Sequence, residues 1–431
     1  MREFPYTTPM ATDRADIAII GAGAAGLAAA IFAAQAHGSA VGDRKIIVLD
    51  GATSIGAKIL VAGGGRCNVT HDVVTPDDFN GSRNIVRNIL AAFDAKACVQ
   101  WFAEMGVQLK REETGKLFPV TDSARTVLNA LLDRCKTLGV TVQSHSKVTS
   151  IEPADGAEQE FVITHLAGVL QAKKVILCTG GKSLPRSGSD GSGYPIAKSL
   201  GHTVTPTYMA LAPLVLGPGG FHAELSGIAH EAELTTSVAN KPIDRRRGSL
   251  LWTHFGISGP VVLDASRHWI IAHDTELNPE MRCNFLPGET AETGEKWLIA
   301  ELAARPKAAL VTVLSKKFPE RLVLTILKHA GADPAVLAGQ LSREIRRKIA
   351  TTLTALPLPV AHGRGWNYAE VTAGGVPLNE IDFRTMQSRK TPGLYLAGEI
   401  LDCDGNIGGY NFQWAWATGF LAGNAAAKSP A

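Results

Sequence analysis

Three glycines near the start of the chain carry the clearest chemical signal in the sequence. Gly21, Gly23 and Gly26 have the spacing G-x-G-x-x-G and directly follow the apolar run 17–20. The first glycine of this pattern permits a tight turn, the second lets a pyrophosphate approach the backbone, and the third lets helix and strand pack closely. The spacing therefore predicts a turn between strand and helix that binds the phosphates of a nucleotide.

The residues around these glycines strengthen the prediction. The alanine-rich stretch that follows predicts a helix, whose first residues, Ala24 and Ala25, would offer unpaired N–H groups and partial positive charge to phosphates. A second apolar strand, KIIVLD, ends at Asp50, at the distance typical of a carboxylate that binds ribose. A glycine-rich turn without a ligand is the alternative, and the pattern alone does not separate NAD from FAD.

The next segment, SIGAKILVAGGGRCNVT over 54–70, has the composition of a ligand-binding loop. Its consecutive glycines at 63–65 have more backbone freedom than a packed element needs. Lys58 and Arg66 flank them with positive charge, so the loop could wrap an anionic ligand with backbone donors and cations. A mobile surface loop is the alternative interpretation.

Two later strands also end in glycine. The strand in KKVILCTGG (173–181) leads to Thr179, and that in GLYLAGE leads to Gly398 and Glu399. A further strand, SKVTSI, places Val148 where it could cover an adenine. Because the carboxyl ends of parallel strands gather at one crevice of a doubly wound sheet, these turns are expected to lie together.

Composition limits the class of protein. A chain of 431 residues exceeds what one core usually supports, so two or three domains are expected. The net charge of +3 is too small to indicate a nucleic-acid-binding protein by itself. The six cysteines form no Cys-x-x-Cys pair and no His/Cys cluster, so neither a metal site nor disulfides are expected, and the cytoplasm is the expected location.

One uncharged stretch, residues 17–36, has the length of a membrane-spanning helix. Glycine and alanine dominate it, and Asp13, Arg14 and Asp16 precede it without a basic flank or a cleavage pattern. A short strand followed by a buried helix explains the stretch better, and no membrane association is expected.

Longer stretches resemble the bile-acid-inducible-N/aminoacetone-oxidase-like family of bacterial FAD flavoproteins. The matching pieces, in family order, are GAGAAGLAAA, GAKILVAGGGRCNVT, WTHFGISGPVVLDAS, VTAGGVPL and the run from 393 that contains GGYNFQWAWATG. The resemblance implies an α/β fold: a split Rossmann-like FAD domain of the two-dinucleotide-binding type. Its bounds would be 1–205 and 366–431, with a small β-domain at 206–262 and 351–365 that carries a helical insert at 263–350.

The resemblance also implies where FAD would bind. The first glycines would contact the pyrophosphate and Asp50 the ribose, residues 65–68 would lie along the flavin, and Glu399 would approach the ribityl chain, although many flavoproteins have Asp at that position. The expected cofactor-binding residues are Gly21, Gly23, Ala24, Ala25, Gly26, Asp50, Gly51, Lys58, Gly64, Gly65, Arg66, Cys67, Asn68, Val148, Thr179, Gly180, Gly181, Gly398, Glu399, Gly408, Gly409, Tyr410 and Asn411.

Three side chains are candidates for catalysis beside a flavin. Cys67 could transfer a proton or form an adduct, or it could be a small packing residue. His254 could act as a general acid, or hold a junction between strand and helix. Tyr410 could donate a proton or a hydrogen bond to substrate.

The aromatic run GGYNFQWAWATG divides into two parts. Gly408 and Gly409 would turn the chain into a helix whose first N–H groups aim at the flavin pyrimidine edge. Helical spacing puts Tyr410 and Trp414 on one face and Phe412 and Trp416 on another, so the tryptophans are expected to anchor the helix by packing.

Several substrates fit the family. They are a steroid-like enone, a small amine and a uridine C5=C6 bond in large-subunit ribosomal RNA, and the wording YNFQWAW resembles the branch associated with RNA. Residues 241–350 contain 17 Lys and Arg against 12 Asp and Glu, an excess of five that suits an RNA substrate or simply a solvated face. A flavin-binding scaffold without activity is a further alternative. No second complete fingerprint marks a nicotinamide domain. NADH or NADPH could visit the flavin transiently as a small-molecule reductant, or the reductant could be another molecule. The oligomeric state is not specified.

Overall fold

The computed structural model describes residues 13–36, 44–154 and 160–428. The parts of the expected FAD domain at 1–12, 37–43, 155–159 and 429–431 lie outside these residues. The chain divides into two compact units. The first unit comprises Met1–Thr207 and Val371–Ala431, and the second comprises Tyr208–Glu370.

The elements are numbered along the chain. The strands are β1 (Asp13–Ile20), β2 (Ile46–Leu49), β3 (Thr70–His71), β4 (Phe79–Asn80), β5 (Leu109–Arg111), β6 (Lys116–Pro119), β7 (Thr141–Gln143), β8 (Val148–Pro153), β9 (Phe161–His165), β10 (Gly168–Leu177), β11 (Tyr208–Ala210), β12 (Leu214–Leu216), β13 (Ala229–Val238), β14 (Lys241–Thr253), β15 (Gly256–Ser258), β16 (Glu280–Asn284), β17 (Leu356–Leu358), β18 (Val360–Gly363), β19 (Val371–Ala373), β20 (Ile381–Asp382), β21 (Gln387–Ser388), β22 (Leu394–Leu396) and β23 (Asp404–Gly405). The helices are α1 (Ala24–Gln35), α2 (Ala57–Gly65), α3 (Arg83–Ala92), α4 (Ala95–Glu104), α5 (Ala124–Thr137), α6 (Gly193–Ser199), α7 (His222–Leu225), α8 (Pro260–Asp274), α9 (Ala291–Ala304), α10 (Leu310–Leu314), α11 (Glu320–Ala330), α12 (Arg343–Ala355) and α13 (Tyr410–Lys428).

A parallel sheet forms the centre of the first unit. Strands β7, β2, β1, β10 and β22 lie side by side in that order, each parallel to the next. The run Ile46–Leu49 is buried along its whole length, as in parallel sheets that are covered on both faces. The carboxyl ends of β1, β2, β10 and β22 therefore share one edge of the sheet, and the expected α/β Rossmann-type fold is confirmed.

The uncharged run 17–36 forms the end of β1 and helix α1, as expected. Helix α1 has only 12 residues and is buried along most of its length. Across the part of the chain that the structure describes, no helix has the length and apolar composition needed to cross a membrane.

Helix α13 packs closely along α1. A Cβ added at Gly419 would lie 2.7 Å from the Ala25 carbonyl oxygen, and one added at Gly423 would lie 2.3 Å from that of Ala29. These distances are too short for any side chain, so the two glycines bring the helix backbones together. This contact joins the N-terminal and C-terminal parts of the first unit.

The second unit is built on an antiparallel sheet with the order β17-β16-β13-β14-β15-β12-β18. Helix α8 packs on this sheet and begins at Pro260 after Gly259. The segment SGPVVLDASRHW predicts this start, because proline is favoured at the first position of a helix. Trp252, Trp269 and Leu250 belong to the core between them. Helices α9 to α12 contribute further buried residues to the same core.

Two expectations for the second unit are wrong in detail. The stretch 263–350 is not helical throughout, because β16 pairs with β13 through it. The periodicity of DPAVLAGQLSREIRRKIATTL predicts a helix that starts at Asp333. Helix α12 begins instead at Arg343, where the Ser342 hydroxyl accepts from the Ile345 N–H at 3.3 Å. Asp333 closes a local turn by accepting from the Ala335 N–H at 2.9 Å, and the backbone that follows bonds to an earlier loop rather than to a helix.

Candidate active site

The first turn of the first unit has the backbone that its three glycines predict. Gly21 has a φ of +103°, and a Cβ there would lie 2.4 Å from the Cys178 carbonyl oxygen. A Cβ at Gly26 would lie 1.8 Å from the Gly21 carbonyl oxygen, so helix and strand meet without room for a methyl group. Gly23 differs, because no atom lies within 4 Å of its Cβ position. Gly21 and Gly26 are thus required by packing, and Gly23 faces open space.

Asp50 is held rigidly at the end of β2. Its Oδ2 accepts from the Ala22 N–H at 2.6 Å, and its Oδ1 accepts from the Ala52 N–H at 2.7 Å. Its own carbonyl accepts from the Ser146 N–H at 2.8 Å, which brings the segment leading to the buried Val148 beside it. The neighbouring Gly51 is tightly placed, because a Cβ there would lie 2.9 Å from that of Lys147.

The segment 57–68 forms an interrupted helix rather than a loose loop. Helix α2 contains left-handed backbone at Gly63 and Gly64, with φ of +58° and +70°. Gly64 has no atom within 4 Å of its Cβ position, so it also faces open space. Gly65 follows at φ +85°, and Asn68 is buried, with an Oδ1 that has no hydrogen-bond partner among the described residues. The segment therefore presents exposed backbone and one buried, unsatisfied acceptor.

The two cations of this segment already have acidic partners. Lys58 pairs with the Glu399 carboxylate, and both side chains are mostly buried. The Arg66 Nη1 lies 2.7 Å from the Glu112 Oε1, and its guanidinium lies 4.0 Å above the centre of the Phe118 ring. Both cations therefore already have partners in distant segments of the chain, and a role of Lys58 and Arg66 toward a ligand stays a prediction.

The glycine-ended strands meet as the sequence predicts. A Cβ at Gly181, after β10, would lie 2.8 Å from the Glu399 Oε1. A Cβ at Gly398, after β22, would lie 2.8 Å from the Ala25 Cβ at the start of α1. The ends of β1, β10 and β22 therefore form one continuous surface that is rich in backbone N–H groups.

Polar side chains and amides lie beside this surface, at Thr179, Ser189 and Thr372. Thr179 has a buried Oγ1 without a hydrogen-bond partner among the described residues. Gly180 has a φ of +72°, and Ser189 packs directly against it. A Cβ added at Gly180 would lie 2.8 Å from the Ser189 Oγ, which is too close for a side chain. Thr372, which the sequence does not mark, donates its N–H to the Glu399 Oε1 at 3.0 Å and so fixes that carboxylate.

Helix α13 begins at this surface after two glycines with positive φ. Gly408 and Gly409 have φ of +140° and +93°, and a Cβ at Gly409 would lie 2.7 Å from the Thr70 backbone. Asn411 does not point away from the protein: its Nδ2 donates to the Gly405 carbonyl at 2.9 Å, and its Oδ1 accepts from the Gly405 N–H at 2.8 Å. The side chain of Asn411 therefore closes the preceding loop, and the backbone is what the helix start can offer to a ligand.

Buried side chains fix the body of α13. Trp414 Nε1 donates to the Gly398 carbonyl at 3.2 Å, and Trp416 Nε1 donates to the Val69 carbonyl at 2.9 Å. Both tryptophans are buried, and Phe412 stacks on Trp416. The expectation that they act as packing anchors is confirmed.

Gln413 and His71 belong to this region although the sequence analysis does not single them out. Gln413 is fully buried, accepts from the Thr70 hydroxyl at 2.6 Å and donates to the Phe93 carbonyl at 2.7 Å. The His71 ring stacks on Tyr410, with ring centroids 5.0 Å apart. The position of His71 directly after GGGRCNVT could have marked it as a residue of the site. Gln413 has no such mark in the sequence, because it simply lies within an apolar run.

Cys67 has the environment of a packing residue. It is completely buried, and burial raises the pKa of its thiol to about 12. A thiol with this pKa stays neutral near pH 7 and is a poor nucleophile. The geometry therefore favours the packing interpretation over catalysis.

His254 lies in the second unit, in the exposed turn between β14 and β15. Its ring meets Phe255 edge-on, with centroids 5.2 Å apart. The Arg364 guanidinium lies 3.8 Å from the centres of both the Phe255 and Tyr368 rings. His254 thus belongs to an aromatic and cationic cluster at the surface of that unit.

The open positions of the first unit suit a dinucleotide. Gly23 and Gly64 give free approach to the backbone, and the amide of Leu27 makes the first hydrogen bond within α1, so the preceding amides are available to an anion. Asn68 and Thr179 contribute the buried oxygen atoms without partners noted above. Within the described residues, no group of three His, Cys, Asp or Glu side chains could hold a metal ion.

Comparison with known proteins identifies the family. The family model described as HI0933-like protein Rossmann domain matches residues 15–425. The chain is 34% identical over 417 residues to a 3-dehydro-bile acid delta(4,6)-reductase of Clostridium scindens, covering 96% of this chain and 99% of that protein. It is also 34% identical over 409 residues to a ribosomal RNA dihydrouridine synthase of Escherichia coli, covering 94% of this chain and 96% of that protein.

A second ribosomal RNA dihydrouridine synthase, from Haemophilus influenzae, is 32% identical over 405 residues and covers 93% of this chain and 96% of that protein. These matches extend over both units, so they include the insertion as well as the dinucleotide fold. They confirm the expected family, and with it FAD as the cofactor and oxidoreductase chemistry. The chain belongs to the HI0933-like Rossmann family of FAD-dependent oxidoreductases.

Proposed function

We propose that this protein is a reductase that saturates a conjugated C=C bond, and that its substrate is uridine in large-subunit ribosomal RNA, which becomes dihydrouridine. The observation that carries the proposal is the convergence of the ends of β1, β10 and β22 with the start of α1. Two relatives bear the name ribosomal RNA dihydrouridine synthase, and the third is named as a reductase. All three names fit reduction of a double bond.

The residues that would hold FAD are those with open backbone or fixed polar groups. Gly23 and the first amides of α1 would bind the pyrophosphate, and Asp50 would bind the adenosine ribose with a carboxylate already oriented by two backbone amides. The ion pair of Lys58 and Glu399 would lie beside the phosphates and ribityl chain. The amides at the start of α13 would bind the pyrimidine edge of the flavin, where the helix dipole favours negative charge.

Reduction of the double bond needs a hydride and a proton. FAD, when bound and reduced, supplies the hydride to one carbon of the double bond. Tyr410 would donate the proton to the other carbon, since it occupies the first position of α13 and its ring orientation is fixed by stacking on His71. Cys67 has no part in this scheme, because burial keeps its thiol neutral.

The reductant would be NADH or NADPH, visiting the flavin transiently, because the sequence has no second dinucleotide fingerprint after a strand. Both the nicotinamide and the RNA are available in the cytoplasm, where we place the protein. The excess of five positive charges over 241–350 supports a polyanionic substrate.

The test is direct formation of dihydrouridine. The FAD-loaded protein is incubated with NADPH or NADH and large-subunit ribosomal RNA from a strain that lacks the gene, and the RNA is digested and analysed by mass spectrometry. We expect dihydrouridine to increase only when enzyme and nicotinamide are both present. The untreated RNA of the deletion strain is also compared with that of its parent, and equal dihydrouridine levels in the two RNAs would contradict the proposed substrate.

A small conjugated enone is the second candidate, favoured by the match to the bile acid reductase. Anaerobic reduction of the FAD-loaded protein, followed by addition of either substrate, distinguishes the two candidates. Rapid oxidation of the reduced protein by a 3-keto-Δ4 steroid, with no oxidation by RNA, would assign the protein to small-molecule reduction.

A further inference from the structure

A wide groove in the second unit contains a concentration of cationic side chains. It has a volume of about 760 Å³ and lies along α12, beside the end of α11 and the start of β17. Arg343, Arg347, Lys348 and His329 line it, together with Thr351 and Thr352. Glu344 is the acidic residue in this lining.

The arrangement of α12 explains how the groove forms. Ile349, Ala350 and Leu353 are buried in the core of the unit, so the opposite face of the helix must be exposed. Arg343, Arg347 and Thr351 are spaced four residues apart, which puts them in line on successive turns of that face. Arg343 is also the first residue of α12, where the partial positive charge of the helix end adds to its own charge.

The cations of the groove are only loosely held by protein acids. Lys348 contacts Glu344 at 2.9 Å, but both side chains are more than half exposed. Arg347 is 58% exposed and its Nε lies 3.6 Å from a Glu295 oxygen, whereas Arg346 is mostly buried and approaches the other oxygen at 3.3 Å. Exposed ion pairs of this kind exchange readily for a better anionic partner. Arg346 therefore serves the fold, and Arg347 and Lys348 remain available.

We propose that this groove binds the phosphodiester backbone of the RNA substrate. The proposal rests on the RNA substrate proposed above and specifies the surface that holds it. A line of cations with neighbouring hydroxyls matches a chain of phosphates and ribose hydroxyls, and the volume far exceeds what one phosphate needs. The excess positive charge of the insertion is thus concentrated where it serves binding rather than chemistry.

The test is a set of charge-neutral substitutions. The groove variant is R343Q/R347Q/K348Q, and the matched control is R83Q/R87Q/K96Q, which removes three exposed cations from the first unit, two of them four residues apart on α3. Each FAD-loaded protein is titrated with a fluorescent single-stranded oligouridylate of about 25 nucleotides at several salt concentrations. FAD content and thermal unfolding confirm that the variants are folded.

We expect the groove variant to bind the oligonucleotide at least about tenfold more weakly at 0.1 M salt. The slope of log K against log salt should fall by about 2, since each phosphate contact on a single strand contributes about 0.7. The control should keep the wild-type slope. The rate of flavin reduction by NADPH should be the same in all three proteins.

The outcomes separate this inference from the proposed function. Equal slopes for the groove variant and the wild type would overturn the groove alone. Groove-dependent binding without dihydrouridine formation would contradict the proposed substrate and leave the groove standing. Displacement of the oligonucleotide by poly-glutamate at equal charge concentration would assign the groove to an acidic polypeptide and overturn the RNA proposal.

Discussion

Helices α1 and α13 both begin after a pair of closely spaced glycines at the same edge of the parallel sheet, but they are positioned in different ways. The start of α1 depends mainly on backbone packing: Gly21 and Gly26 fit against backbone atoms, Gly23 faces open space, and the Asp50 carboxylate is the side chain that bonds to the turn. The start of α13 is surrounded by side-chain contacts, with Asn411 closing a loop, Tyr410 stacked on His71, and Gln413 bonded to two distant segments.

The difference shows two ways of fixing the first turn of a helix. A local pattern of glycines is sufficient when the helix directly follows its own strand, as α1 follows β1. A helix that arrives from the far end of the chain needs long-range contacts to fix its first turn. We therefore expect substitutions at α1 to act through backbone packing or ligand access, and those at α13 to act through buried hydrogen bonds.

The largest effect is expected from Gly26→Ala. The new Cβ would lie 1.8 Å from the Gly21 carbonyl oxygen, so the strand and the helix must separate. We expect the free energy of unfolding to fall by about 4 kcal/mol. Urea unfolding of the FAD-free protein measures this, and a loss below about 1 kcal/mol would show that the contact is easily relaxed.

Tyr410→Phe tests the chemistry assigned to the start of α13. The ring can still stack on His71, so FAD binding and stability should change little. We expect the rate of substrate reduction to fall about 100-fold through loss of the proton donor. Stopped-flow measurement should find flavin reduction by NADPH unchanged, and an unchanged rate of substrate reduction would remove Tyr410 from the mechanism.

Gln413→Ala tests the long-range contacts of α13. The substitution leaves the Thr70 hydroxyl and the Phe93 carbonyl without their partner inside the protein. We expect a loss of about 2 kcal/mol in the free energy of unfolding. FAD affinity should fall as well, because the first turn of α13 loses its support. A stability loss with unaltered FAD affinity would mean that the helix start is fixed by other contacts.

Gly23→Ala tests the start of α1, where the substitution is expected to affect ligand access rather than packing. No atom lies within 4 Å of the new methyl group, and the φ of −81° is one that alanine adopts. Stability of the FAD-free protein should therefore stay within about 0.5 kcal/mol of the wild type. FAD affinity should fall about tenfold, equivalent to about 1.4 kcal/mol, because the methyl group would meet the pyrophosphate. Titration with FAD checks this expectation.

Cys67→Ala should have the smallest effect on activity, less than about twofold at any pH from 6 to 9. The folded-state pKa of about 12 keeps the thiol protonated throughout this range, so it adds no step to the pH profile. Because this pKa lies above the usual value of 9.0, the thiol favours folding up to about pH 9 and this contribution is lost as pH rises toward 12. If the ratio of wild-type activity to Cys67→Ala activity changed with pH, Cys67 would again be a catalytic candidate.

What the sequence predicts well here is local. The parallel strands, the turn at Gly21–Gly26 and the start of α8 at Pro260 follow from patterns within a few residues of each other. The meeting of three glycine-ended strands also follows, because parallel topology puts the strand ends at one edge.

What the sequence does not reveal depends on contacts between distant segments. The salt bridge of Arg66 with Glu112, the stacking of His71 on Tyr410 and the role of Thr372 have no local signature. The late start of α12 has the same origin, since backbone near residue 338 bonds to Ala308 instead of continuing a helix. Periodicity records which side chains are apolar, but it does not record this competition for backbone hydrogen bonds.

The glycine contact between α13 and α1 has a consequence for biosynthesis. Helix α1 is made early and α13 last, and β22, which pairs with β10, is also made after the whole second unit. The packing around α1 is therefore completed only after α13 has been made and its glycines reach the backbone of α1. Until then the flank of α1 that meets Gly419 and Gly423 has no cover, so we expect a chain that stops before residue 410 to expose apolar surface and to aggregate.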